Sequence, residues 1–189
     1  MTTLDWRWKI GEAIERLRNR YSFSGRKTGA PFLALVYPPE AEGIVLREWN
    51  TQTMALRPEI DVRQVDALAV TQAILADIGA QEVVSALADP MPGSDPQAEL
   101  GRLWVNALAD AVCQRLAEAG VGKPVVSLER LAALYPAAGP RDVMQCIWDC
   151  AGAMPDGPII VLIPGHVREA RTYSFLGLRD EFMYRGDLV

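Results

Sequence analysis

The chain has 189 residues, half of them hydrophobic and 23% charged, and 19 basic against 24 acidic side chains leave a net charge of −5. That composition fills a core, which excludes wholesale disorder, and the length is that of one ordinary domain. No apolar run reaches the roughly 18–20 residues of a membrane span, residues 1–10 lack a signal-peptide apolar segment, and three cysteines make no disulfide framework, so a cytoplasmic protein without a membrane partner is expected.

Residues 4–20 read as an amphipathic helix, with Trp6, Ile10, Ala13, Ile14 and Leu17 at three- and four-residue spacing. Residues 22–29 are a loop by composition. Pro31 leads into the apolar run Phe32-Leu33-Ala34-Leu35-Val36-Tyr37, stopped by Pro38-Pro39, the pattern of a central parallel strand buried on both faces. Residues 40–56 take helical spacing through Ile44, Leu46, Trp49 and Met54, and residues 60–65 form a second strand carrying Ile60, Val62 and Val65. Asp66 stands at the N-cap of an Ala-rich helix or helix pair over 67–87, broken near Gly79.

The stretch 90–96 (Pro-Met-Pro-Gly-Ser-Asp-Pro) is read as a long loop between two helices, because neither half of the chain has enough strands to stand alone. Asp95 and Pro96 open the next helix, which runs to Gly120. Residues 124–128 are a third strand, followed by a short helical turn to Tyr135-Pro136 and a helix over 141–153. Pro158-Ile159-Ile160-Val161-Leu162-Ile163 is the clearest strand and is expected to end at Pro164-Gly165; residues 172–176 and 182–189 read as short edge pieces. Strands alternating with helices of this length imply right-handed crossovers. The expected fold is α/β: a three-layer, mostly parallel sheet of about four or five strands with helices on both faces. Residues 1–30 form an N-terminal amphipathic helix and loop, and residues 31–189 a single α/β domain.

Basic residues are uneven. Arg7, Lys9, Arg16, Arg18, Arg20, Arg26 and Lys27 face only Glu12 and Glu15, and a sparser group (Arg168, Arg171, Arg179, Arg185) lies near the end. Each is either a solvated face or a docking surface for an acidic protein or a nucleic-acid backbone. The acidic balance makes direct nucleic-acid binding weak at best.

Catalytic motifs are missing. Gly25-Arg26-Lys27-Thr28 and Gly120-Val121-Gly122-Lys123-Pro124 each lack part of a P-loop, and no Gly-x-Gly-x-x-Gly follows a strand. Cys146 and Cys150 share a helix face, where small core-side residues are the plainer reading than metal ligands. His166 follows the best strand as a loop histidine, and Asp61 and Asp66 flank the second strand with turn and cap duties. No catalytic residue, cofactor or metal site is assigned.

Several features in order resemble the small BrxB-type component of BREX bacteriophage-exclusion systems. They are Pro31-Phe32-Leu33, Leu35-Val36-Tyr37-Pro38-Pro39, the stretch from Leu131 to Tyr135-Pro136, and Ile159-Ile160-Val161-Leu162-Ile163-Pro164-Gly165, then Phe175-Leu176 and Met183-Tyr184-Arg185-Gly186. The family's terminal motif often has two tyrosines before the arginine, where this chain has Met183-Tyr184. The resemblance implies a non-catalytic adaptor or scaffold in antiviral defence, working beside a PglZ-like phosphatase-family protein, an ATPase and a DNA methyltransferase. On that reading Tyr184, Arg185, Arg179, Trp6 and Trp8 are the candidate partner contacts, since Tyr, Trp and Arg are enriched at interface hot spots. The alternative is a nucleotide- or small-ligand-binding protein with a degenerate site at the strand C-termini, around residues 37–40 and 165–166.

Overall fold

Six consecutive apolar residues at 32–37 put side chains on both faces of one strand, so a layer must cover each face. The computed structural model, which describes residues 5–22, 31–150 and 157–189, has that arrangement. Helix α1 (Asp5–Ser22) precedes β1 (Phe32–Tyr37), and a 3-10 turn (Pro39–Ala41) with α2 (Glu42–Met54) leads to β2 (Ile60–Asp66). Three helices, α3 (Ala67–Ile78), α4 (Ala80–Ala88) and α5 (Pro96–Ala117), connect to β3 (Lys123–Glu129). A second 3-10 turn (Leu131–Leu134) and α6 (Pro140–Cys150) precede β4 (Ile159–Glu169), and then come β5 (Thr172–Phe175), β6 (Arg179–Phe182) and β7 (Gly186–Leu188).

The strands β2-β3-β4-β1-β7 lie side by side in that order, all parallel, so the protein is α/β with a mostly parallel open sheet. Alternate residues build two cores. Leu33, Leu35 and Tyr37 join Ile160, Leu162 and the α1 and α2 residues Ile10, Leu17 and Trp49 on one face. Phe32, Ala34 and Val36 join Val161, Ile163 and residues of α5 and α6 such as Leu108 and Ile147 on the other. The five apolar positions of α1 expected from their spacing are all buried, so this helix packs on the domain through β1 and α2.

Several boundaries differ from expectation for physical reasons. The loop expected over 22–29 and the end of the helix expected over 141–153 lie outside the described residues, apart from Ser22 at the end of α1. In α2 the buried stripe is Val45, Leu46, Trp49 and Thr53, while Ile44 and Met54 face outward; the helix is rolled by one position from the expected face. Asp61 is a strand residue that pairs with Arg57 (3.0 Å) and Arg63 (2.8 Å), where a turn role was expected. Asp66 does cap α3, accepting from the Leu68 and Ala69 amides, and Asp95 caps α5 ahead of Pro96.

The largest departure is β4. Pro164 ends the parallel pairing with β1 opposite Tyr37, yet the strand continues through Glu169 as an antiparallel hairpin arm against β5. A proline N–H is not needed there, because the arm's first bond runs from the Leu176 amide to the Pro164 carbonyl (2.9 Å). Among the described residues no single helix is long and apolar enough to cross a membrane, although α3 and α4 pass by composition as a pair bent by 85°.

Candidate functional site

In an open parallel sheet, ligands gather where the strands end at their carboxyl side. Here that edge is occupied by the chain's own groups. The Tyr37 hydroxyl donates to Glu42 Oε1 (2.9 Å), and burial, with Glu42 beside it, pushes the phenol far above its ordinary range. Lys9 Nζ donates to the Val36 carbonyl (3.1 Å). On the neighbouring strands, Glu129 is buried at the end of β3; Ser127 Oγ donates to its Oε1 (2.8 Å), and the Asn50 amide also bonds to it. Gln64 Nε2 in turn donates to Asn50 Oδ1 (2.6 Å), and Arg130 pairs with Asp66 at 3.2 Å beside the cluster.

Burial raises the Glu129 carboxyl above the usual value, and Asp66 adds to the rise. The native state therefore holds this proton more tightly than the unfolded chain. Stability falls as pH rises from about 4.3 through the folded value. Glu129→Gln removes that loss, so its melting temperature should equal or exceed the parent's at pH 7 and converge with it near pH 4, as read by circular dichroism at both pH values. A lower melting temperature at pH 7 would mean that the bonds from Ser127 and Asn50 outweigh desolvation.

His166 does not reach this edge. It sits exposed on the hairpin arm of β4, opposite Ser174. Of the expected core-side pair, Cys146 is half-buried and packs against the core beside Val143, Met144 and Ile147, whereas Cys150 is exposed, as is Cys113 on α5. The Cys146 and Cys150 sulfurs are 3.8 Å apart, and burial first, then Cys150, pushes the Cys146 thiol up to about 11, so it stays a neutral, weakly nucleophilic thiol at pH 7. Among the described residues no group of three His, Cys, Asp or Glu side chains is placed to hold a metal ion.

The five residues offered as partner contacts fall in three different places. Trp6 is buried against the sheet, with Arg7 over its ring at 5.2 Å, so it presents no docking face; Trp8, on the opposite side of α1, is 64% exposed. Arg179 bonds to Glu181 (Nε to Oε1, 2.8 Å) and to Asp142 (3.2 Å), tying β6 to the start of α6. Tyr184 packs partly into the core, and the Arg185 guanidinium lies 4.3 Å over the Trp148 ring and 5.7 Å over Tyr184. Arg185 stacks on aromatics instead of pairing with a carboxylate, which leaves its outer face to solvent.

One exposed apolar surface was not singled out from the sequence. α4 buries no residue, and with the end of α3 and the following loop it exposes Ile78, Val84 (57%), Leu87 (45%) and Met91 (75%). Its inner side, through Val83, rests on the core shared with Ile74 and Leu75 of α3. Between Arg63 and Arg102 the chain has no basic residue, while Asp66, Asp77, Glu82, Asp89, Asp95 and Glu99 are acidic. The signal was therefore present in the sequence, as an apolar helix pair in a basic-free stretch. Periodicity does not reveal which side of such a helix is covered. No known protein family, curated protein or solved structure matches this chain.

Proposed function

We propose that the protein is a non-catalytic adaptor of a BREX-type antiphage defence complex, docking a PglZ-like phosphatase-family protein and other components such as the ATPase. The observation that supports the reading is the α3–α4 lobe: a short helix with no buried residue, four exposed large apolar side chains on or beside it, and six acidic residues but no basic one in the stretch between Arg63 and Arg102 that carries it. A surface of that kind fits a partner segment with an apolar face and basic flanks. The order of motifs from Pro31 to Gly186 that resembles the BrxB-type component supports the assignment to this kind of complex.

The test is an affinity pull-down of the tagged chain from its native host, read by mass spectrometry, beside the double variant Val84→Asp/Leu87→Asp. Both positions face solvent, so the variant should melt with the parent. The parent should recover a phosphatase-like or ATPase neighbour in stoichiometric amount, and the variant should bind it about thirtyfold or more weakly. Recovery of the parent chain alone, from a lysate that contains those neighbours, would overturn the adaptor reading. Full binding by the variant would move the docking surface elsewhere.

A second reading, a small-ligand site at the strand C-termini, is favoured by the buried Glu129 with its raised carboxyl value at that edge. A nucleotide or divalent metal bound there would raise the melting temperature of the parent and do so less in Glu129→Gln.

A further inference from the structure

The parallel sheet ends on one side at β7, with three residues, and on the other at β2, with seven, so β2 is its long free edge. The Lys123 amide donates to the Glu59 carbonyl (2.9 Å), which turns the backbone of residues 59, 61, 63 and 65 toward β3. The backbone groups of Ile60, Val62 and Gln64 point away from β3. Ile60 N–H is taken by the Leu56 carbonyl (3.1 Å), whereas the backbone N–H and C=O of Val62 and Gln64 have no backbone partner among the described residues. An open edge of this kind is a template for another strand.

The edge is also the floor of a groove of about 530 Å³. Asn50 and Met54 of α2, with Arg57 in the turn after it, form one wall, and Arg115 and Glu118 at the end of α5 form the other. Arg63 fastens that second wall, donating from Nη1 to the Glu118 carbonyl (2.8 Å) and also to the Arg115 carbonyl. The edge is flanked on both faces, by α2 and by the end of α5, and a second copy would bring its own α2 and α5 against these helices. The accessible charge on the α2 side is positive in an otherwise acidic protein: the Arg57 side chain is 62% exposed, and its partner Asp61 only 14%. Arg115 stands on the opposite rim, paired with Glu118.

We propose that β2 receives an extended, acidic segment of a partner protein as an added strand, held by the outward backbone groups of Val62 and Gln64 between α2 and α5. Main-chain bonds supply the affinity in this mode, and the exposed Arg57 rim selects acidic side chains. The site is separate from the α3–α4 lobe and does not depend on it.

The probe is a random-sequence peptide library displayed on phage and selected on the full chain, with the selected peptides then synthesised. Gln64→Pro removes the outward N–H without breaking a bond to β3, and Gln64→Ala keeps that N–H while removing the same side chain. Selected peptides should be rich in Asp and Glu. They should lose roughly tenfold or more in affinity for Gln64→Pro, about 1.4 kcal/mol, while Gln64→Ala binds within a few-fold of the parent. N-methylation of the peptide at alternate residues should abolish binding, and this decides the matter even if Gln64→Pro fails to fold. No selected peptide, or binding indifferent to every N-methylation, would overturn the proposal. So would a dimer in sedimentation that Gln64→Pro disperses, because the occupant would then be a second copy of this chain.

Discussion

Replacing Glu181 by alanine is expected to destabilise the protein by about 2–4 kcal/mol, roughly 5–15 °C in melting temperature for a chain of this size. Glu181 is buried, and its two oxygens serve four donors from separate parts of the fold. Oε2 accepts from the Tyr173 hydroxyl (2.7 Å) and from the Arg141 amide (3.0 Å), and Oε1 accepts from Arg179 Nε (2.8 Å) and Nη2. Arg141 lies in the first turn of α6, where amides have no partner within the helix, so a strand residue 40 positions later does the work of a cap. Asp142 holds the Gly139 amide in the same turn (2.8 Å) and also receives Arg179.

Alanine at 181 leaves the Tyr173 hydroxyl buried without an acceptor, and buried unpaired groups cost about 1–3 kcal/mol each. It also frees Arg179, whose side chain is 41% exposed and can turn to water, so its share is smaller. Thermal denaturation followed by circular dichroism measures the loss. A change below about 1 kcal/mol would show that water replaces the carboxylate at little cost, and would return Arg179 to the set of free surface arginines. If the expected loss is found, Arg179 acts as a brace between β6 and α6, and the partner contacts near this end reduce to the outer faces of Tyr184 and Arg185.

Gly165→Ala should cost about 3 kcal/mol, at the top of the range for overpacking. A Cβ at 165 would stand 2.1 Å from the Ser174 carbonyl oxygen and 3.1 Å from its carbon. Both are backbone atoms of the paired strand β5, so no side chain can rotate to make room. The close approach is where β4 leaves the parallel sheet and becomes the arm of the hairpin. Gly177→Ala is the control. Gly177 has φ +73 in the turn between β5 and β6, but a Cβ there meets nothing within 4 Å, so only the backbone preference is lost, about 1 kcal/mol. Urea denaturation of the two variants should place Gly165→Ala well below Gly177→Ala. The reverse order would mean that the hairpin shifts to accept a methyl group at its base.

The legible part of the fold was local. The apolar runs at 32–37 and 159–163 announced strands buried on both faces, and burial of every one of those residues follows from the helical layers on either side. The caps at Asp66 and Asp95 were readable because a cap acts on amides two or three residues away. The buried face of α1 was readable for a similar reason, since its five apolar residues recur every three or four positions. In α2 the same rule missed by one position: Val45, Leu46 and Ile44 are adjacent and all apolar, and only packing on the sheet decides which of them is covered.

Pro164-Gly165 looked like a stop because proline cannot donate in a ladder and glycine weakens a strand. Pairing reversed both meanings: proline sits where the parallel ladder no longer needs its N–H, and glycine sits where β5 comes too close for a side chain. The functional surfaces depend on still longer separations. Trp6 and Trp8 are two residues apart, and the sheet beneath α1 buries one and leaves the other in solvent. The edge of β2 is free because β2 ends the strand order and pairs only with β3, more than 50 positions later in the chain, and the wall beside it is fastened by a bond from Arg63 to a carbonyl 55 positions away. Composition and spacing thus settled the class of fold and most of its elements, since those rest on contacts within one helical turn or one strand. The order of the strands, the exposed lobe and the open edge came from contacts between segments far apart in the chain, whose free energy is shared among many residues and leaves no short pattern to read.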